Sequence, residues 1–432
     1  MSAAEILRST IFHTPGNPFI ETGAFAAFDD GALLIADGAI QECGDFAIVR
    51  AAHADVPVRD LRGGILLPGF IDTHTHYPQV RVLGAIGYTL LDWLRYNTLP
   101  EEARFADVSY ARTVAAEFVH SLASHGTTTS LVFGSHFASA TAELFDAAAG
   151  AGLRMVAGQV LSDRMLLPEL HQTVDAAYRE STSLIQRYHG NGRLLYAVTP
   201  RFALSASDAM LDVCSTLLKE NPGVMFQSHL NESPVEVDEV ARLFPDAADY
   251  FGVYENHNLA GARSVFAHSV HTTGSELKRM ASLGCSVAYC PCSNAALGSG
   301  MFPLKRHLAA GVHFSLGTDV GGGTGFGMLK EGLQAYLLQR LATDGAQLGA
   351  EHLLYLATRA GAQSLGLADR IGDFLPGKSA DFVYLRPSRE SPLAAVWRNA
   401  PDARRLLAAV FTLAGAECVR EVQVQGSAVY RC

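Results

Sequence analysis

Lysine is scarce along this chain of 432 residues: the first is Lys219, and nearly all positive charge is arginine. No block of Lys or Arg occurs, and the formal net charge is −10. An acidic chain without a basic stripe argues against nucleic acid or a membrane surface as partner. No apolar run is long enough to span a bilayer, and the opening MSAAEILRST lacks the basic-then-apolar layout of a secretory signal. Seven cysteines, an odd number, follow no disulfide-framework spacing, so reduced thiols and a cytoplasmic location are expected. Cys290 and Cys292 form C-P-C rather than the C-x-x-C of a zinc knuckle, and a packing role is expected for both. The glycine-rich stretch DVGGGTGFG (319–327) lacks the G-K-[ST] ending of a phosphate cradle.

Apolar residues make up 49% and charged ones 18%, the balance of a soluble globular chain longer than one typical domain. Both ends read as short strands. ALLIADGAIQECG is two apolar runs joined by Asp37-Gly38, a hairpin signal. PGKSADFVYLRP (376–387) and CVREVQVQGSAVYRC (418–432) repeat the strand-turn-strand pattern. Between them, strand-like runs alternate with helical stretches such as ARTVAAEFVHSLASHG and ELFDAAAGAGLR. Eight runs are candidate strands: Leu66–Thr73, Thr127–Gly134, Met155–Leu161, Leu194–Thr199, Val224–Ser228, Ser264–Ala267, Cys285–Tyr289 and His313–Gly317. This alternation predicts an α/β chain with a (β/α)8 TIM-like barrel over 67–367. A small β-sandwich domain would be built from both termini, 1–66 and 368–432. A doubly wound sheet fits less well, because no G-x-G-x-x-G follows the first strand.

Polar residues gather where these runs end. Strand one ends in His74 and His76, strand four near Arg201, strand five in His229, strand six in His268 and strand eight in Asp319. In a barrel, catalytic groups collect on that face. Residues i and i+2 of a strand point to one side, so His74 and His76 can aim at one point. Neutral imidazoles with one carboxylate suit Zn²⁺, Fe²⁺ or a similar ion. With four histidines and Asp319 available, either the site is five-coordinate or one group works from behind the ligands. An ion so held lowers the pKa of a bound water to roughly 7. Asp319 is placed to take the water's proton, and Glu232, three residues past His229 in SHLNES, can serve as a proton donor in the same cleft. The first four strands carry no lysine to bridge two ions, so one metal is expected. His120, His125, His136, His189, His307 and His313 have no matching partners and read as structural or surface residues; His136 follows strand two.

PGFIDTHTH, SHLNE, AHSVH, LGTDV and PGKSADFVYL resemble the signatures of the amidohydrolase superfamily, in order and across nearly the whole chain. HYPQ, LLDWLRYNTLPEEARF, VTPRFALSAS, FPDAADYFGVYENHNL and the long stretch from CPCSNAALGSG to TGFGML resemble the guanine deaminase family within it. The resemblance implies that His74, His76, His229 and Asp319 bind one zinc ion per subunit, with His268 joining or supporting them. It implies Glu232 as proton shuttle and Asp319 as base. Gln79 and Arg201 would bind the polar edges of a purine, and Phe202, Leu91 and Trp93 would line its pocket. An arginine fork suits a carbonyl, an amide both donates and accepts, and an aromatic face suits a flat ring. The implied reaction is hydrolysis of guanine to xanthine and ammonia by zinc-activated water, in a cytoplasmic homodimer. The alternative is a related barrel aminohydrolase acting on 8-oxoguanine, a pterin or an s-triazine. Two departures bear on substrate choice. His271 in HSVHTT is an added histidine, either a supporting donor or a satisfied loop residue. Cys292 stands where Thr or Asn is expected in the CP-x-SN pattern. The unrelated deaminase fold with P-C-x-x-C is excluded, because Pro291-Cys292 has no second cysteine at that spacing.

Overall fold

The computed structural model describes residues 4–432. Its strands, in chain order, are β1 (Glu5–His13), β2 (Ala26–Ala36), β3 (Ala39–Asp45), β4 (Val58–Pro68), β5 (Phe70–His76), β6 (Thr127–Phe133), β7 (Arg154–Gly158) and β8 (Val160–Leu161). They continue with β9 (Leu194–Pro200), β10 (Met225–Leu230), β11 (Ser264–His268), β12 (Ser286–Tyr289), β13 (His313–Leu316), β14 (Phe382–Leu385), β15 (Val419–Val424) and β16 (Ser427–Arg431).

One sheet runs β16-β15-β14-β4-β1-β2-β3, so both ends of the chain build it. The bond between the ends is the antiparallel pair β4–β14, with Leu66 opposite Tyr384. Two of its turns are written in the sequence. Asp37 and Gly38 both have positive φ (51° and 76°), as do Gln425 and Gly426 (53° and 71°), the conformation that two-residue hairpins need.

The second sheet runs β5-β6-β7-β9-β10-β11-β12-β13, with β8 paired to β9, and every named pair in it is parallel. It curls until β13 meets β5, where Thr73 Oγ1 donates to the Leu316 carbonyl at 2.9 Å and Asp319 N donates to the His74 carbonyl at 2.8 Å. These strands are buried on both faces, as a barrel wrapped by helices requires. Inside, Ile71, Leu131, Val156, Met225, Val265 and Ala288 fill the interior, and Leu365 and Ile371 plug its lower end. The helices pack outside; Val108–Ser124 and Ala138–Ala151 are the two whose sequences stand out as helical.

The first barrel strand starts later than the sequence suggests. The apolar run ILLPGFI serves two sheets in succession. Leu66 to Pro68 belong to β4, Gly69 makes the transition, and β5 begins at Phe70. Gly69 is required there: a side chain would collide with Thr128. The shift carries His74 and His76 into β5 itself. Among the described residues no helix is long and apolar enough to cross a membrane, and all seven cysteines are free.

Candidate active site

Four imidazoles and two carboxylates converge at the C-terminal mouth of the barrel. His74 and His76 leave β5 on one side, their Nε2 atoms 3.2 Å apart. His229, in β10, brings its Nε2 to 3.3 Å from that of His76. Asp319 Oδ1 lies 3.3 Å from His74 Nε2 and 3.2 Å from His76 Nε2. His268, at the end of β11, holds its Nε2 3.4 Å from Glu232 Oε2 and 3.9 Å from Asp319 Oδ2.

Partners behind two of the imidazoles fix their tautomers. The His229 Nδ1 faces the Arg201 carbonyl at 2.5 Å. A carbonyl only accepts, so Nδ1 carries the hydrogen and Nε2 presents a lone pair. Asn294 Oδ1 fixes His268 in the same way, 3.0 Å from Nδ1, and leaves the buried Nε2 without a partner. Burial pushes His76 down to about 4, and lowers His74 and His229 as well. Burial alone would raise Asp319, but hydrogen bonds from His74 and His76 outweigh it and hold the carboxyl well below its usual value. Ring nitrogens of three imidazoles and an ionised carboxylate thus crowd within 3.2–3.3 Å of one another in a buried site. A cation suits such a donor set. Groups bound about 2.0–2.1 Å from a shared tetrahedral ion stand about 3.3 Å apart, and these do. Two sets of three buried ligands bring one donor atom each within 4.8 Å of one another, His74 with His76 and His229, and His74 with His268 and Asp319.

The backbone is strained to achieve this. His268 (φ 71°), Ser269 (φ 53°), Asp319 (φ 49°) and Asn231 (φ 51°) all occupy the left-handed region, which non-glycine residues enter at a cost of order 1–3 kcal/mol each. Asp72 anchors the Asp319 turn by accepting from Thr318 N at 3.0 Å and Thr318 Oγ1 at 2.5 Å. Asn231 is tied to Thr272 and Glu276 at 3.1 and 3.0 Å.

Glu232 sits beside the cluster, 2% exposed. Burial, then repulsion from Asp319, pushes its carboxyl up to about 8. Ser299 Oγ donates to its Oε1 at 3.1 Å, and Glu236 Oε2 accepts from its backbone N–H at 3.0 Å. His271 lies one step further out. Its Nε2 donates to the Ser299 carbonyl at 2.7 Å, so it steadies the segment that carries the Glu232 partner.

A second buried cluster lies on the opposite wall. Arg201 Nη1 donates to both oxygens of Glu102, at 2.8 and 2.6 Å. Gln79 Nε2 donates to Glu102 Oε1 at 2.9 Å, and His136 Nε2 lies 3.2 Å from Oε2. Burial alone would raise Glu102, but Arg201 and His136 outweigh it and hold the carboxyl well below its usual range. His76, Gln79, Leu90, Trp93, Leu94, Arg201, Phe202, His229, Glu232, His268, Leu297 and Asp319 line one cavity between the clusters.

Leu91 is a correction: it does not face this cavity. The helical turn Leu90–Trp93 puts Leu90, Trp93 and Leu94 on one side. Leu91, about 100° around the turn, lines a neighbouring apolar groove with Met165, Leu166 and Leu167. Glu102 and His136 were missed from the sequence. Glu102 is in EEAR, where no strand end marks it; it lies in the helical turn Leu99–Ala103, which follows a π-helical turn, Leu94–Thr98. The glycine-rich stretch after Asp319 packs on the site, and a side chain at Gly321 would collide with the Gln79 amide.

Fold and site define a class: a (β/α)8-barrel hydrolase whose strand ends suit a divalent metal. The chain belongs to the amidohydrolase family, whose model matches residues 65–429. A Deinococcus radiodurans protein described as "Probable guanine deaminase" is 60% identical over 432 residues, 99% of this chain and 98% of its own length. The guanine deaminase of Escherichia coli is 40% identical over 421 residues, 97% of this chain and 95% of its own. The solved structure "E. coli Guanine Deaminase" matches with a TM-score of 0.94 at 38% identity, covering 100% of both chains.

Proposed function

We propose that this chain deaminates guanine hydrolytically, giving xanthine and ammonia, with one zinc ion per subunit. The full-length similarity to guanine deaminases carries the reading. His74, His76, His229 and Asp319 would hold the ion, with His268, steered by Asn294, joining or supporting them. The chemistry such an ion supplies is to bring the pKa of water down to about 7.

The remaining work falls to side chains. The Asp319 carboxylate accepts the proton of the water that attacks C2 of guanine. Glu232, whose carboxyl burial keeps protonated, gives its proton to ring N3 and then assists departure of the 2-amino group as ammonia. Arg201 donates toward the O6 carbonyl, and Gln79 binds the adjoining ring edge. Phe202 and Trp93 face the flat ring. The same reading assigns residues 67–367 to the catalytic barrel, and 1–66 with 368–432 to one β-domain. It makes the protein a cytoplasmic homodimer. Exposed Tyr336, Leu337 and Leu341 on one helix supply apolar surface for a second copy.

The test is ammonia release by the zinc-loaded protein on guanine, 8-oxoguanine, pterin, adenine and cytosine in parallel. Fast release on guanine, lost in Glu232→Gln, is expected. Silence on guanine with turnover of another ring would overturn the substrate.

A further inference from the structure

We infer that Glu102 is a positioning residue that sets the hydrogen-bond polarity of the cavity and thereby selects a lactam edge over an amidine edge. The inference rests on the guanine reading above and concerns how guanine would be told apart from its analogues.

A carboxylate only accepts hydrogen bonds. Glu102 therefore dictates which end of the Gln79 amide faces it. The nitrogen turns toward Glu102, at 2.9 Å, and the oxygen turns away. That oxygen is buried and has no partner among the described residues, so it is an acceptor waiting for a donor. The same oxygen lies beside Gly321, where a Cβ would come within 2.3 Å of it, so the amide packs into space that only a glycine leaves free.

The same carboxylate orients Arg201. Both of its oxygens engage Nη1 alone, and the Arg201 side chain has no other hydrogen bond among the described residues. Its remaining N–H groups are left for a ligand in the cavity that both residues line. His136 holds Glu102 from the far side, and Gln159 and Gln172 donate to the His136 carbonyl to keep that histidine in place. Glu102 is thus itself immobile, 2% exposed and bonded through both oxygens.

The wall consequently offers one acceptor, from Gln79, beside donors from Arg201. A lactam presents the complement, a ring N–H next to a carbonyl oxygen. An amidine edge presents a bare ring nitrogen next to an amino group, and both positions clash in polarity. Buried mismatches of this kind are what allow a site to reject an analogue by about 10⁴-fold.

The experiment compares kcat/KM for guanine and 2,6-diaminopurine, which carry the same 2-amino group and differ at that edge. It uses the zinc-loaded wild type, Glu102→Gln and Gln79→Met. The wild type should prefer guanine by about 10³-fold or more. In Glu102→Gln the new carboxamide lets the Gln79 amide invert and releases Arg201, and the preference should fall by about 10²-fold. Equal losses on both substrates, with the ratio kept, would mean Glu102 serves only to stabilise the fold, and would overturn the inference. Should Glu102→Gln fail to fold by circular dichroism, Gln79→Met decides. It keeps the Glu102–Arg201 pair and removes the acceptor, and an unchanged ratio there would equally overturn the inference. A wild type inactive on guanine would instead defeat the functional reading on which this rests.

Discussion

At the mouth of the barrel two buried polar clusters stand side by side, and they solve the problem of buried charge in opposite ways. The Glu102 cluster is closed. Its carboxylate meets a guanidinium, an amide and an imidazole, and the Gln79 oxygen and the spare N–H groups of Arg201 are left for a ligand. The histidine cluster is open. Its ring nitrogens and the Asp319 carboxylate face one another across 3.2–3.3 Å. A closed cluster can be complete in the protein alone; an open one calls for a cation. One wall thus suits the reading of a ligand, the other the holding of an ion.

The contrast can be broken most severely at the ion side. Asp319→Asn removes the only ligand carboxylate and the proton acceptor together. Turnover should drop by more than about 10³-fold, with metal content falling alongside it by elemental analysis. Asn294→Ala is a gentler probe of the same cluster. It frees the His268 ring, and metal affinity should weaken by about 10- to 100-fold in a competition titration with a chelator.

The closed cluster should respond to pH instead. The Glu102 carboxyl is held below its ordinary 4.5 in the folded chain. Its contribution to stability is therefore present above pH 4.5 and is lost as pH falls through the folded value. Melting temperatures of wild type and Glu102→Gln should differ most near neutrality and draw together as the medium is made strongly acidic. The smallest effect separates the two faces of one helical turn. Leu94→Ala should raise KM for guanine several-fold, since Leu94 lines the cavity, while Leu91→Ala, on the groove side, should leave KM nearly unchanged.

The same contrast governs what could be read from the sequence. The histidine cluster is legible because each member sits at the end of a strand, and the period of a strand fixes where H-x-H points. The Glu102 cluster is not. Glu102 comes from a helical turn, His136 from the loop after β6, and Gln79 from a short turn after β5, so no single spacing joins them. Leu91 fails for a related reason, because a four-residue helical turn is too short for its apolar face to be phased from sequence. The late start of β5 was hidden by ILLPGFI, a continuous apolar run shared by two sheets. The Asp37-Gly38 turn was legible because local backbone chemistry alone decides it.

The central claim is that the histidine cluster holds an ion on which guanine turnover depends. The most direct measurement is guanine turnover followed against metal content, as the purified protein is stripped by a chelator and then reloaded with zinc. Turnover should fall to background with the ion, and return in proportion to occupancy, reaching its maximum at one ion per chain. Undiminished turnover in metal-free protein would contradict the claim.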